Sequence, residues 1–424
     1  MSGSNLCCLI KHKILFWIFA LLSVSGISQE NQKTGDAGNT LKSPDADVKE
    51  QVLQTAAELL EDNDFPGSWP LFGTDLRMKI GGYLKADFLY DFDGTTDQNQ
   101  FLMSTIPVEG EDAFGNEGYL SFFAKETRVN IDLRRVAENK IPLQLFIEGD
   151  FFTQGNGFRL RHAYMTAGDF IIGQTWTTLS FLESMAFMID FAAGDALFGG
   201  RTAQVRYQKN LDKGYRLSIG LEYLGSLGIE NSFGFDGKAN LQLPLLALRL
   251  DKRWETGVLF MGASLAQLRW DGGDTGPSDQ LPQLAFVVAG RQYLGENNYF
   301  TWNVNAGSAY GENIISFAGS SANALLNENG ELEPIEAFAL MAGFMHRWAP
   351  GLESNFNYAY GWLDAPETRA DFALKRGGVG HLNLIYHFDK NFSIGAEYMW
   401  GAQRTANDAY GSAGRLQTMA KFEF

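Results

Sequence analysis

Period-two alternation of apolar and polar side chains, sustained over long segments, constrains the fold of this chain more than any other feature. Residues 352–363 show it well, because aromatic side chains occupy every second position from Phe356 to Trp362, with Asn357 between them. This period places one face of a strand against an apolar medium and the other against water. Strands of ten or more residues with this pattern are typical of membrane barrels. We therefore expect an all-β fold, a transmembrane antiparallel β-barrel.

About 16 segments read as strands of such a barrel. A barrel of this size has a lumen too wide for side chains to fill, so an aqueous channel is expected. Three segments, 257–270, 282–294 and 335–348, are apolar on both faces, and the sequence does not say which face points inward. The predicted strands are 78–92, 118–135, 141–153, 157–168, 169–175, 201–210, 214–224, 242–253, 257–270, 282–294, 298–311, 335–348, 352–363, 377–389, 391–404 and 414–424.

The connections between these segments alternate between short and long along the chain. Short ones include 168–169, 254–257 and 349–351, whereas long ones include 93–117 and 174–200. Membrane barrels have short turns on the periplasmic side and long loops outside, so both termini are expected in the periplasm. A soluble β-sandwich, the alternative fold, has no reason to keep this alternation over so many hairpins.

The chain ends on a strand pattern whose last residue is aromatic. Leu416, Ala420 and Phe424 fall on one face of residues 415–424, and Lys421 falls on the other. This end resembles the closing strand of bacterial outer-membrane barrels, whose terminal aromatic residue is an assembly signal. The expected partners are therefore outer-membrane lipid and, through Phe424, the barrel assembly machinery. A soluble sheet edge would show the same alternation.

The N-terminal part differs from the rest of the chain. Lys11 and Lys13 precede an apolar run and a small-residue stretch, which is the order of a secretory signal peptide over residues 1–28. A short membrane anchor is the alternative. Residues 29–70 read as a periplasmic linker that carries a short helix over 46–61, either part of a coiled coil or lying on the barrel base. Residues 71–424 then form the barrel domain of an exported protein.

The formal net charge of −16 argues against binding to nucleic acid through overall charge. Its charged residues are instead informative within the predicted strands between 118 and 210. Alternation there places nine charged side chains on the lumen face, because an arginine exposed to lipid at the midplane costs roughly 2–4 kcal/mol. The candidate pore-lining residues are Arg128, Arg134, Arg159, Arg161, Arg206, Glu126, Asp132, Glu148 and Asp150.

The arginines on the lumen face allow two interpretations of their role. Arginine binds carboxylates bidentately and keeps its charge, and rings of basic side chains select anions in pores. The five arginines are therefore predicted to form one basic wall that guides small anionic solutes. The alternative is a structural network in which the four acids of the same strands neutralise them.

Residues 174–200 are too apolar for a solvated surface loop. Folding inward would bury Phe181, Phe187 and Phe191 against the barrel wall. We expect this segment to narrow the lumen and to turn its acids toward the arginines, whereas a loop that covers a subunit interface is the alternative. The candidate constriction residues are Trp176, Glu183, Asp190 and Asp195.

Five motifs stand out: M-K-I-G-G-Y-L-K-A-D-F-L-Y-D-F at 78–92, E-T-R-V-N-I-D-L-R at 126–134, F-I-E-G-D-F-F at 146–152, F-R-L-R-H-A-Y at 158–164 and G-Q-T-W-T-T at 173–178. Together these motifs resemble the DcaP-like outer-membrane porin family. They span the first half of the barrel. The resemblance implies a sixteen-stranded homotrimeric porin with a helical N-terminal extension. It also implies passive uptake of small carboxylated solutes, dicarboxylates in particular.

Two other classes of function compete with a porin. A barrel enzyme would need a histidine with a nucleophile or acid partner, and His381 and His387 share a face but lie about 20 Å apart along a strand. A non-selective structural or adhesive barrel is the other alternative. No metal-spacing cluster, phosphate loop or nucleotide motif stands out in the sequence, so we expect no cofactor and no enzymatic activity.

Overall fold

The computed structural model describes residues 65–71, 73–135, 140–192 and 194–424. The predicted signal peptide and the helix predicted over 46–61 lie outside these residues. Within the described part of the chain, no helix is long and apolar enough to span a membrane.

The described residues form a closed antiparallel barrel of sixteen strands, which confirms the predicted fold class. Each predicted strand overlaps one observed strand. The strands are β1 Leu76–Asp91, β2 in two parts, Tyr119–Phe123 and Arg128–Arg135, β3 Leu143–Asp150, β4 Arg159–Ala167, β5 Phe170–Trp176, β6 Arg201–Asn210, β7 Tyr215–Glu222, β8 Leu245–Trp254, β9 Gly257–Asp271, β10 Asp279–Tyr293, β11 Asn298–Ser308, β12 Glu336–Ala349, β13 Leu352–Asp364, β14 Leu374–His387, β15 Phe392–Thr405 and β16 Tyr410–Glu423.

Strand β2, predicted as continuous over 118–135, is interrupted at residues 124–127. Both of its parts pair with β1. At the interruption the hydroxyl of Thr127 accepts a hydrogen bond from the backbone N–H of Lys85 at 3.2 Å, in place of a backbone carbonyl. A side-chain oxygen therefore satisfies the β1 donor that the break would leave without a strand partner.

The barrel closes where β16 meets β1. The pairing runs from Tyr83 opposite Glu423 to Asp91 opposite Arg415. The backbone of Phe424 then exchanges two hydrogen bonds with Gly82, at 3.2 and 3.1 Å. Gly82 also pairs with β2, and its φ of +148° is one that residues with a Cβ rarely adopt.

Replacing Gly82 by valine is expected to block closure of the barrel. A Cβ at this position would lie 2.1 Å from the carbonyl oxygen of Arg128, so β1 and β2 would have to separate at the seam. The heat-modifiable gel migration of folded barrels should be lost, and deleting Phe424 should slow assembly through the same seam. The control is Gly225→Ala, where a Cβ meets nothing within 4 Å. Normal folding of Gly82→Val would contradict this reading of the seam.

The short and the long connections lie at opposite ends of the barrel. At the turn end, hairpins such as 168–169, 255–256, 350–351 and 388–391 join neighbouring strands. At the loop end, the longest connections are 92–118, 177–200, 223–244 and 309–335. Residues from the last two form a three-stranded sheet of Ile229–Glu230, Ala324–Leu326 and Leu332–Pro334.

The structure assigns the faces of the three strands that are apolar on both sides. On β10, Ala285 and Val287 are buried inside the barrel, whereas Phe286 and Val288 are exposed on its outer face. The inner faces of β9, β10 and β12 are apolar because loops pack against them. Phe181 of the 177–200 loop stacks on the Phe260 ring of β9, with ring centroids 5.3 Å apart. The inner face here is therefore protein core and not pore lining.

Candidate functional site: the barrel lumen

Residues 177–200, here called the inner loop, lie inside the barrel. Side chains on the inner faces of the strands hold the backbone of its first half. Arg249 of β8 donates hydrogen bonds to the carbonyls of Thr178 and Ser180 at 3.0 and 3.1 Å. Further along the loop, four more wall side chains donate hydrogen bonds to loop carbonyls. They are Arg291 of β10 to Glu183 and Met185, Asn357 of β13 to Ala186, Asn383 of β14 to Phe187 and Lys85 of β1 to Ile189.

The second half of the inner loop returns along the same side of the barrel. Asp195 contacts His381 of β14, and the carbonyl of Ala196 accepts a hydrogen bond from Asn305 of β11. Phe198 then bridges to Ile314 of the 309–335 loop before the chain enters β6. The inner loop thus lines the wall between β8 and β1 and is held there by hydrogen bonds along both halves.

The tip of the inner loop reaches the other side of the lumen. The ring of Phe191 stacks on that of Phe152, next to the end of β3, with centroids 3.8 Å apart. The guanidinium groups of Arg159 and Arg161 lie 5.2 and 5.6 Å from the centre of the same ring. The inner loop therefore meets the predicted arginine wall through an aromatic side chain and not through an acid.

The acids of the inner loop do not face the five predicted arginines, so that expectation is wrong. Glu183 forms an ion pair with Arg253 of β8, and Asp195 lies 3.2 Å from His381. Asp190 accepts hydrogen bonds from the backbone N–H groups of Phe101 and Ala192, at 3.1 and 3.0 Å. Burial raises the pKa of Asp190 to about 7, although nearby His381 acts in the opposite direction. Each acid anchors the loop, and Asp190 and Asp195 are buried, whereas the side chain of Glu183 is 37% exposed.

Arg159 and Arg161 converge on one acid because of a β-bulge. The register between β3 and β4 shifts at Glu148 and Gly149, which leaves Arg161 as the extra residue. Asp150 accepts hydrogen bonds from Arg159 at 2.9 and 2.7 Å and from Arg161 at 2.6 Å, and Glu148 accepts one from Arg161 at 2.9 Å. The side chain of Arg161 is only 3% exposed, whereas that of Arg159 is 33% exposed. Arg161 is thus mainly a wall residue.

The two arginines of β2 have different surroundings. Arg128 lies over the ring of Tyr83, and its ion pair with Glu126 is long, at 3.4 Å. Arg134 forms a bidentate pair with Asp132 and lies 4.2 Å from the ring centre of Phe65, near the turn end. Tyr83 has both Arg128 and Arg161 among its charged neighbours, so Arg128 belongs with the β4 arginines, whereas Arg134 belongs to a separate cluster.

Arg206 also lies apart from the β4 arginines. It is 8% exposed and donates hydrogen bonds to the Gln204 side chain at 2.9 Å and to the carbonyl of Trp176. Its charged neighbours are Glu222, Arg249, Arg216 and Asp251 of β7 and β8. The prediction of one continuous basic wall is thus incorrect, because the bulge, the strand register and the paired acids divide the five arginines into three groups.

Arg201 is a basic residue of the lumen that the sequence reasoning missed. Strict alternation along β6 would place it on the outer face with Ala203 and Val205. Its guanidinium lies 4.5 Å from the ring centre of Trp176, and its charged neighbours are Arg161, Arg159, Arg128 and Asp150. With the other described residues it forms no ion pair and no hydrogen bond. The unfavourable free energy of an arginine that faces lipid could have indicated from the sequence that Arg201 points into the lumen.

The chain resembles solved outer-membrane channels in fold. The outer membrane channel DcaP of Acinetobacter baumannii has a TM-score of 0.71 and 21% identity, covering 82% of this chain and 97% of that chain. The anion-selective porin from Comamonas acidovorans has a TM-score of 0.56 and 10% identity, covering 82% and 100%. OmpT of Vibrio cholerae has a TM-score of 0.54 and 14% identity, covering 84% and 99%. At these identities the likenesses show the fold alone.

No relative among curated proteins matches the chain. The profile of the DcaP outer membrane protein family, in contrast, matches residues 45–424, which include the whole barrel and its inner loop. The chain belongs to the DcaP outer membrane protein family.

Proposed function

We propose that this protein is a water-filled pore through which small anionic solutes, carboxylates and in particular dicarboxylates, diffuse passively. The observation that carries the proposal is the group of Arg128, Arg159 and Arg201 beside the tip of the inner loop. Arg128 and Arg159 are 23% and 33% exposed, and Arg201 has no acidic hydrogen-bond partner among the described residues. The donors of Arg201 are available to a passing carboxylate, as are those donors of Arg128 and Arg159 that do not bind Glu126 or Asp150.

The chemistry of this group fits a solute with two carboxylates. A guanidinium presents a planar fork that matches a carboxylate, and it stays charged at any relevant pH. Two such forks, on two of the strands β2, β4 and β6, can bind two carboxylates of one solute at once. Partial neutralisation by Glu126, Glu148 and Asp150 keeps binding weak enough for release, which conduction requires.

The inner loop supplies the constriction in this proposal. It lines the wall from β8 to β1, so the open passage runs beside the inner faces of β2 to β6, where the three arginines lie. Trp176 and Phe191 border the passage. A solute would then cross the narrowest part of the lumen in contact with basic and aromatic side chains.

The proposal includes an orientation and an assembly. The loop end faces the outside and the turn end faces the periplasm, with both termini periplasmic, as in other membrane barrels. Signal-peptide cleavage would leave a mature start near Gln29. We also propose a homotrimer. The trimeric form of the structurally similar Vibrio cholerae OmpT supports this assembly, with a TM-score of 0.51. The protein is proposed to act as a channel and not as an enzyme.

The test is the reversal potential of single channels in a salt gradient, repeated with a dicarboxylate and with a monocarboxylate of the same length. The pore is expected to prefer anions, and the dicarboxylate is expected to block chloride current at lower concentration than the monocarboxylate. A cation-selective pore, or equal block by the two solutes, would instead indicate that the ion pairs are wall structure and that the barrel is non-selective.

A further inference from the structure

Glu397 of β15 stands out among the buried acids because all of its partners belong to the inner loop or hold it. Its two oxygens accept hydrogen bonds from the backbone N–H groups of Ile189 and Asp190, at 2.8 and 3.1 Å. Asn383 donates a further hydrogen bond at 2.9 Å, and the side chain of Glu397 is 0% exposed. A carboxylate is the side chain that can accept from several donors at once.

The same carboxylate connects to the returning half of the inner loop. Nδ1 of His381 lies 3.1 Å from Glu397, and Nε2 of His381 lies 3.2 Å from Asp195. The loop is therefore attached to β14 and β15 directly at residues 189–190 and through His381 at residue 195. Phe191 lies between these two attachments.

We propose that Glu397 is the positioning residue of the constriction: it fixes the ends of segment 189–195 and thereby holds Phe191 against Arg159 on the opposite wall. The inference rests on the proposed function only in that the inner loop narrows the pore. Glu397 itself does not contact the solute. Its action passes through the loop backbone to the aromatic side chain that borders the arginines.

Glutamate suits this position because it offers two acceptor oxygens among several charged neighbours. His381 comes from β14, Asp190 and Asp195 from the loop, Arg415 from β16, and Lys85 with its neighbour Asp87 from β1, where Lys85 donates to the carbonyl of Ile189 at 2.6 Å. Glutamine would keep the size but would offer one acceptor oxygen, and its NH₂ group would face a backbone N–H. One of the two loop donors would then be left without an acceptor.

The experiment measures loop exposure separately from ion selectivity. Both cysteines of the chain, Cys7 and Cys8, precede the barrel, so Ala192→Cys introduces a single thiol into it next to the loop tip. Ala192 is 6% exposed, and we expect slow reaction with a water-soluble methanethiosulfonate. Adding Glu397→Gln should speed the reaction about tenfold or more, because hydrogen bonds to charged groups are the strong ones. Glu397→Asp, which keeps both acceptors and the charge, should restore much of the protection.

The matched control is Glu353→Gln, which removes the same charge from the inner face of β13. Glu353 hydrogen-bonds Asn355 and lies 3.9 Å from His387, and neither partner is in the loop. When Glu353→Gln is combined with Ala192→Cys, the thiol should react at the same rate as in Ala192→Cys alone. Should Glu397→Gln fail to show heat-modifiable folding, Asp195→Asn loosens the second attachment from the loop side and should speed the reaction several-fold. An unchanged rate in a folded Glu397→Gln or Asp195→Asn barrel would overturn the proposal, whatever the selectivity of the pore.

Discussion

Deleting residues 182–194 is expected to give a folded barrel whose single-channel conductance is several times that of the full-length protein. The deleted segment contains the attachment to Glu397 at Ile189 and Asp190, as well as Phe191 at the tip. Its removal opens the lumen between β8 and β1. A sixteen-stranded barrel without an inner loop is wide enough for a water-filled channel.

The barrel should survive this deletion, because the wall side chains that lose loop partners become hydrated and not buried. Asn357, Asn383 and Glu397 would face water, which satisfies polar groups as well as the loop backbone does. The control is a deletion of residues 112–115, which lie in the exposed part of another long loop. That variant should conduct like the full-length protein. Unchanged conductance after the 182–194 deletion would show that the inner loop does not limit the pore.

Replacing Arg128 and Arg201 together by alanine should shift the reversal potential strongly toward cations. Both side chains face the open passage, and neither is held by a short ion pair. Glu126, Glu148 and Asp150 would keep their negative charges. A unit charge about 4 Å away in water contributes about 1 kcal/mol, or about fivefold in anion occupancy. The loss of two such charges should therefore outweigh the preference for anions that the other arginines provide.

The matched variant pairs Arg161→Ala with Arg206→Ala, which removes the same total charge from buried positions. Arg161 is held by Glu148 and Asp150, and Arg206 by Gln204 and a backbone carbonyl. Each loss should lower the free energy of unfolding by about 2 kcal/mol, because hydrogen bonds of charged groups are broken. Urea unfolding followed by tryptophan fluorescence measures this effect. The shift in reversal potential should be smaller than the shift caused by replacing Arg128 and Arg201. If instead the buried pair controls selectivity, the assignment of the solute path to Arg128 and Arg201 is wrong.

Contacts from distant parts of the chain explain why sequence reasoning about the site was only partly correct. Alternation correctly placed Arg128, Asp132 and Arg206 on the inner face, since period two is a local property of a strand. It misplaced Arg201 relative to the lumen, because alternation weakens where a strand ends. It also gave no indication that Glu183 would meet Arg253 and not the arginines of β2 and β4, a contact between residues 70 positions apart.

The barrel itself, its strand number, the sorting of long and short connections and the inward fold of an apolar loop all followed from the sequence, because hydrophobic period and turn spacing act over a few residues. Only the tertiary structure decided which faces of β9, β10 and β12 point inward, since both faces are apolar and the loops that cover one of them come from elsewhere in the chain. It also decided which arginines are paired closely with acids, as Arg161 is, and which are not, as for Arg128 and Arg201 among the described residues. That outcome depends on strand register, on the bulge at Gly149 and on the path of the inner loop, and each of these is set by contacts that close only when the barrel does.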